Sequence, residues 1–139
     1  MKYFRACMAA VVLLTACGDD PVDVDDVATL QIIDITMGTG LTASAGKFIS
    51  VHYTGWLYDE EAVDHKGQQF DSSIGRQPLS FTLGTRAVIS GWDNGIPGMR
   101  VGGRRRLIIP ASEAYGARGN GPIPGGSALV FDVELIGVI

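Results

Sequence analysis

One stretch, Gly84-Thr85-Arg86-Ala87-Val88-Ile89-Ser90-Gly91-Trp92, reads as a short helix in a chain otherwise written as strands and loops. Thr85 is the expected N-cap, because its hydroxyl can accept from backbone N–H groups that a first turn leaves unpaired. Val88, Ile89, Trp92 and Ile96 fall at i, i+1, i+4 and i+8, on one face at helical period. Pro97-Gly98 ends the run. A short helix with one tryptophan needs a surface to lie on. The flanking segments look like twisted strands, so the expectation is a helix laid across a sheet with Trp92 near its middle.

The strands follow from alternation and punctuation. Leu30 to Thr36 is the first candidate, closed by Gly38 and Gly40. Phe48 to Leu57 is the clearest, with Val51, Tyr53, Gly55 and Leu57 on one face and His52, Thr54 and Trp56 on the other. Tyr58 to Gly67 is charged and reads as a loop or insertion. Gln68 to Ser72 and Leu79 to Leu83 are short strands. Arg104 to Ile109 is a strand ended by Pro110, and Ala111 to Ser127 is a long surface loop. Ala128 to Ile136 closes the chain, with Leu129, Phe131, Val133 and Leu135 on one face. The expected fold is α+β: a twisted antiparallel sheet of five or six strands around one short helix.

The first residues stand apart from this domain. Lys2 and Arg5 precede an apolar run, Ala6 to Leu14, and Leu14-Thr15-Ala16-Cys17 closes it with small residues. This has the form of a secretory signal and is too short to span a bilayer comfortably. Its ending resembles the lipobox of bacterial lipoproteins, which implies cleavage before Cys17 and lipidation of that residue. A plain secreted protein and an uncleaved anchor are the other readings. The expected organisation is a signal peptide at 1–16, a lipidated Cys17 and acidic tether at 17–28, and the domain at 29–139. Five Asp residues crowd the tether without the Gly-centred loop or closing Glu of a calcium site. In a two-membrane cell, where sorting resembles a rule that retains lipoproteins with Asp after the cysteine in the inner membrane, Gly18 favours the outer membrane, facing the periplasm.

Charge and cysteine content exclude more than they assign. The whole chain has a formal charge of −4, and removing Lys2 and Arg5 makes the mature chain more acidic, so nucleic acid is not an expected partner. Cys17 is the sole mature cysteine, so no intramolecular disulfide is available. The two histidines, His52 and His65, lack partners at metal-ligand spacing, and no metal or other cofactor is expected. No G-x-S-x-G or phosphate-loop pattern occurs. Gly91, Gly95 and Gly98 do not follow a strand, so they make no dinucleotide fingerprint. Arg104-Arg105-Arg106 reads either as the solvated end of a strand or as an anion site. What remains is aromatic: Tyr53, Phe70, Phe81, Trp92, Tyr115 and Phe131, which form either a plain core or one concavity.

Five segments then carry a resemblance: Val51-His52-Tyr53-Thr54-Gly55, Phe70-Asp71-Ser72-Ser73, Val88-Ile89-Ser90-Gly91-Trp92, Ala114-Tyr115-Gly116, and Leu129-Val130-Phe131-Asp132-Val133-Glu134-Leu135. In this order, from about Thr29 to the C-terminus, they resemble the FK506-binding protein (FKBP) type of peptidyl-prolyl cis–trans isomerase. The resemblance implies a half-wrapped sheet with a substrate pocket between sheet and helix. It implies Trp92 as the pocket floor and Tyr53, Phe70, Val88, Ile89 and Phe131 as walls, with Phe81 beside them and Ile123 at an apolar rim. Leu79 stands where the family often has an aromatic, and Asn120 where some members have His. Asp71 and Tyr115 are the implied catalytic residues.

That activity suits a site without a nucleophile. An X–Pro bond isomerises over a barrier of ~18–20 kcal/mol with no covalent bond broken, so a site need only favour the twisted amide. Tyr115 is expected to donate to a carbonyl beside the proline; its plainer role is a loop anchor. Asp71 is expected to act electrostatically, paired with Arg76; its plainer role is a strand-end cap. The expected partners are proline-containing unfolded or exported polypeptides, FK506-like macrolides as inhibitors, and a membrane through the lipid. A monomer is expected. The competing function is a membrane-tethered chaperone that binds peptides and catalyses little.

Overall fold

A computed structural model describes residues 27–139. The signal peptide, Cys17, Gly18 and the acidic run through Asp26 lie outside the described residues. Val27, placed in the tether by sequence, is buried against Ile108, Ala128 and Val130.

Six antiparallel strands form one sheet: β1 (Gln31–Thr36), β2 (Phe48–Tyr58), β3 (Lys66–Ser72), β4 (Leu79–Thr82), β5 (Arg104–Ile109) and β6 (Leu129–Val138). Their order is β1-β5-β6-β2-β3, with β4 also paired to β2. β2 is long enough for both partners on one edge: Phe48 to Val51 face β4, and Thr54 to Tyr58 face β3. Its other edge runs beside β6 from Ile49 to Leu57. Alternation sets the two faces. Ile49, Val51, Tyr53 and Leu57 of β2 and Leu129, Phe131, Val133 and Leu135 of β6 meet in the main core, while Trp56 and Val130 pack on the outer face.

The helix is shorter and later than the sequence suggests. α1 spans Ser90–Gly95, and Ile89 stands at its N-cap without a side-chain cap. Thr85 caps nothing: its hydroxyl donates to the Thr82 carbonyl at 2.8 Å. Capping runs the other way, because the Asp93 carboxylate inside the helix accepts from the N–H groups of Gly84 (2.8 Å) and Arg86 (3.0 Å). The N–H groups of Gly84 and Arg86 are thus spent in a loop, and Ala87, Val88 and Ile89 are left extended or turning.

Two glycines let α1 lie close to the sheet. A Cβ on Gly91 would sit 2.5 Å from Ile109 Cγ2, and one on Gly95 would sit 2.7 Å from Leu107 Cδ2. Both glycines lie on one helical face, four residues apart, so any side chain there would lift the helix off β5. The dinucleotide motif they fail to make is beside the point, because close packing is their work.

The arginine run is neither a solvated end nor an anion site. Arg105 is buried, pairs with Asp34 of β1 at 2.7 Å, and donates to the carbonyls of Gly95 (2.8 Å) and Pro97 (3.1 Å). It therefore holds the C-terminal carbonyls of α1. Arg106 lies on the outer face and meets Asp132 at 2.7 Å, where Lys66 also reaches at 2.8 Å. Arg104 alone is exposed. The alternation of a strand sends Arg105 to Asp34 of β1 on one face and Arg104 (4.0 Å) and Arg106 to Asp132 of β6 on the other.

The segment Tyr58–Gly67 is a connection between strand ends, with residues 59–65 outside the strands. β2 continues to Tyr58, β3 starts at Lys66, and a 3-10 turn at Val63–His65 joins them. Asp64 and His65 adopt φ values of 55° and 60°. Asp64 pairs with Arg106 at 3.5 Å, which ties the insertion to the outer face. The loop expected from its charged residues is present, trimmed at each end where β2 and β3 extend into it.

Gly91→Ala is expected to cost about 1–3 kcal/mol by overpacking Ile109, read from urea unfolding midpoints. Ile109→Val in the same chain should recover part of that loss. Burial works against ionising Asp132, but the bonds from Arg106 and Lys66 outweigh it and hold the carboxyl below its ordinary value. A lowered folded-state value stabilises the protein above the unfolded value, near pH ~4, and that stability drains away as pH falls further. Unfolding midpoints measured against pH should therefore drop on acidification. Asp132→Asn should be less stable at neutral pH and show a shallower acid slope.

Candidate active site

A cavity of about 170 Å³ opens between α1 and the inner face of the sheet. Tyr53, Phe70, Asp71, Leu79, Ala87, Val88, Ile89, Trp92, Tyr115 and Phe131 line it. Each element contributes a little: β2 gives Tyr53, β3 gives Phe70 and Asp71, β4 gives Leu79, β6 gives Phe131, and the turn into α1 gives Ala87 to Ile89.

The rings meet edge to face around Trp92. Its centroid is 5.1 Å from that of Tyr53, 5.2 Å from Phe131 and 5.9 Å from Phe81. The Tyr53 and Phe131 contacts are steep, at 74° and 86°, and Phe70 stands at 88° to Phe131. Such pairs contribute about 0.5–1.5 kcal/mol each beyond area burial, so the lining is stiff. The Trp92 indole N–H is buried and has no hydrogen-bond partner among the described residues. It is an open donor on a residue that lines the cavity.

Polar groups gather on one side of the cavity. The Tyr53 hydroxyl donates to Asp71 Oδ2 at 2.6 Å, Arg76 donates to Asp71 Oδ1 at 3.2 Å, and the Ser72 N–H reaches the same oxygen at 2.8 Å. Arg76 also donates to the Ser72 carbonyl. Burial, and then the Asp71 bond, push the Tyr53 phenol up to about 12. Tyr53 is accordingly a fixed donor at neutral pH, and its proton belongs to Asp71. Tyr115 is different: its ring packs on the core and its hydroxyl makes no hydrogen bond within the described residues.

A larger cleft of about 260 Å³ includes His52, Thr54, Trp56, Arg104, Asp132 and Glu134 among its lining residues. These side chains point to the outer face. It lacks the ring cluster, so the inner cavity is the better site for an apolar ring. Among the described residues no three His, Cys, Asp or Glu side chains gather to hold a metal ion.

A family model described as FKBP-type peptidyl-prolyl cis-trans isomerase matches residues 40–136. The chain belongs to this family. An FK506-binding protein of Neisseria meningitidis serogroup A / serotype 4A is 50% identical over 112 residues, covering 79% of this chain and 96% of that protein. An FK506-binding protein of Streptomyces anulatus is 49% identical over 114 residues, covering 80% of this chain and 87% of that one. The crystal structure of AtFKBP13 superposes with a TM-score of 0.69 at 40% identity, over 82% of this chain and 96% of that one. A peptidyl-prolyl cis-trans isomerase from Pseudomonas syringae pv. tomato gives 0.66 at 37% identity, over 82% and 78%.

Within this FKBP-type domain, most residues singled out from sequence converge on the cavity, and two do not. Phe81 packs on Trp92 without lining the cavity, and Ile123 is buried in the core instead of standing at the rim. Burial along β4 explains the first correction. Leu79, Phe81 and Leu83 share a face, and exposure falls from 38% to 6% to 0% as the strand runs inward. Ile123 turns in because Asn120 and Ile123 pair across a tight turn in the long loop.

Sequence reasoning missed Ala87, whose small side chain carries no signal. It also gave Gly55 no role. A Cβ there would stand 2.6 Å from Phe131 and 2.7 Å from Phe70, so the absence of a side chain is what lets those two rings meet. A glycine inside a strand was the available clue, since it often marks a close approach. Gly55→Ala is expected to push the two rings apart and cut kcat/KM on a proline peptide roughly tenfold or more, about 1.4 kcal/mol at the transition state. Far-ultraviolet circular dichroism should stay at wild type.

Proposed function

We propose that the protein is a peptidyl-prolyl cis–trans isomerase that accelerates X–Pro isomerisation in exported polypeptides and is held to the membrane by lipid on Cys17. The observation that carries the catalytic part is the cavity itself: a stiff ring-lined space with one uncommitted hydroxyl, from Tyr115, at its boundary. At about 170 Å³ it is smaller than drug-sized pockets of ~300–1,000 Å³. It suits one proline ring, with the flanking residues left outside. A macrolide of the FK506 kind would insert a ring and lie across the mouth, where Leu79 offers a flat aliphatic wall.

The chemistry follows from solvation. A planar amide is polar because nitrogen donates into the carbonyl. Twisting the C–N bond removes that donation, leaving a less polar carbonyl and a pyramidal nitrogen. A water-poor aromatic site disfavours the planar form more than the twisted one. A thousandfold acceleration needs only about 4 kcal/mol of such discrimination. Tyr115 donates to a carbonyl beside the proline and fixes the peptide's direction. Asp71, committed to Tyr53, Arg76 and the Ser72 N–H, orients the wall and shapes the local field.

The signal-like N-terminus and Cys17 support export and lipidation, with the protein at the outer membrane facing the periplasm, acting as a monomer. A proline-limited refolding assay tests the catalytic reading. An isomerase shortens the slow phase at substoichiometric amounts, whereas a chaperone that only binds must be stoichiometric. Tyr115→Phe is expected to lose roughly fivefold in kcat/KM, about 1 kcal/mol for one hydrogen bond. Asp71→Leu should lose more, because it frees both Tyr53 and Arg76. Wild-type rates in both variants would remove these role assignments while leaving the family unchanged.

A further inference from the structure

Among the described residues β1 is an edge strand, paired to β5 on one side and to no strand on the other. Every one of its residues is exposed. Ile32, Ile33 and Ile35 lie on it, and Met37 and Leu41 follow at 67% and 66% exposure. From Gln31 to Gly46 the sole ionisable side chain is Asp34, and Arg105 holds it at 2.7 Å. Edge strands in soluble surroundings are normally guarded by lysine, proline or free charge. This one carries none of these, and a bulge after Asp34 is its single irregularity.

The chain outside the described residues joins here. Val27 is buried beside Ile108, Ala128 and Val130, four residues before β1 begins. Nine residues lie between Cys17 and Val27, so even a fully extended chain holds any group on that cysteine within ~35 Å of Val27. The cavity is drawn from β2, β3, β4 and β6, toward the far side of the strand order. β1 and β2 stand three strand spacings apart, about 14 Å.

We propose that the β1 edge, from Ile32 to Leu41, rests on the surface of the lipid bilayer and turns the proline cavity away from it. This rests on the lipid-anchor reading of Cys17 given above. The aliphatic side chains enter the interface, and the uncharged stretch makes the loss of water there inexpensive. Arg100, whose guanidinium already holds the Gly40 carbonyl at 3.0 Å, stands at the border of the patch where lipid phosphates lie. The acidic tether favours a zwitterionic surface over a strongly anionic one. One anchor then does two jobs, attachment and orientation, and clients reach the cavity from the aqueous side.

The test uses the full lipoprotein, purified from membranes and reconstituted in dioleoylphosphatidylcholine vesicles. With Cys17 lipidated, one cysteine introduced at Met37 or at Val63, on the β2–β3 connection, is the only thiol to label with an environment-sensitive fluorophore. At Met37 the emission should shift to the blue and fall about twofold when nitroxide-labelled phosphatidylcholine is included, as for groups ~5–10 Å into the interface. At Val63 neither change should occur. A Met37 probe that stays water-like on protein whose mass includes the lipid overturns the edge contact and leaves the anchor standing. A mature mass without lipid on Cys17 removes the anchor and the contact together. A blue shift that nitroxide lipid does not quench and that fades as protein is diluted in the vesicle marks a second copy of the chain, and also overturns the membrane contact.

Discussion

Everything in this domain depends on how closely one short helix approaches β5. Gly91 and Gly95 bring α1 down onto Ile109 and Leu107, where a Cβ would clash at 2.5 and 2.7 Å. A six-residue helix has too few hydrogen bonds to stand alone. Its stability comes from that contact, from Arg105 gripping the carbonyls at its end, and from Asp93 gripping the turn before it. Seating the helix at this height turns Trp92 toward Tyr53 and Phe131 and sets the depth of the cavity. The same packing that closes the core therefore leaves one opening in it.

The charges of the molecule are mostly spoken for by structure. Arg105 joins β1, β5 and α1, Arg106 and Lys66 converge on Asp132 across the outer face, and Asp71 is shared by Tyr53, Arg76 and Ser72. A phenol raised to about 12 has no reason to lose its proton at neutral pH. The site is left with ring faces, an indole N–H and the Tyr115 hydroxyl. That inventory cannot form a covalent intermediate by any ordinary route. It can reward a change in amide polarity, which is all that rotation about an X–Pro bond requires.

Much of this was legible in the residues. The alternation in Phe48 to Leu57 and in the last strand sorted both faces correctly, because a period of two is imposed by the backbone. β5 was legible to the residue. The helix was legible as a helix around Trp92 but not at its start. Thr85 has the chemistry of a cap, and nothing local says that Asp93 will reach back and claim the N–H groups of Gly84 and Arg86. The cavity walls at Tyr53, Phe70, Val88, Ile89, Trp92 and Phe131 came from motif resemblance. Composition alone favoured a plain core.

Local pattern thus specified the strand faces, the presence of one Trp-bearing helix and an antiparallel α+β domain. These depend on backbone periodicity and on side chains within a few residues of each other. The seating of the helix, the partners of Arg105 and Arg106, the retreat of Phe81 and Ile123 into the core and the close passage of Phe70 and Phe131 over Gly55 were decided in three dimensions. Each is a contact between segments far apart in the chain, so its energy exists only once the sheet has brought them together.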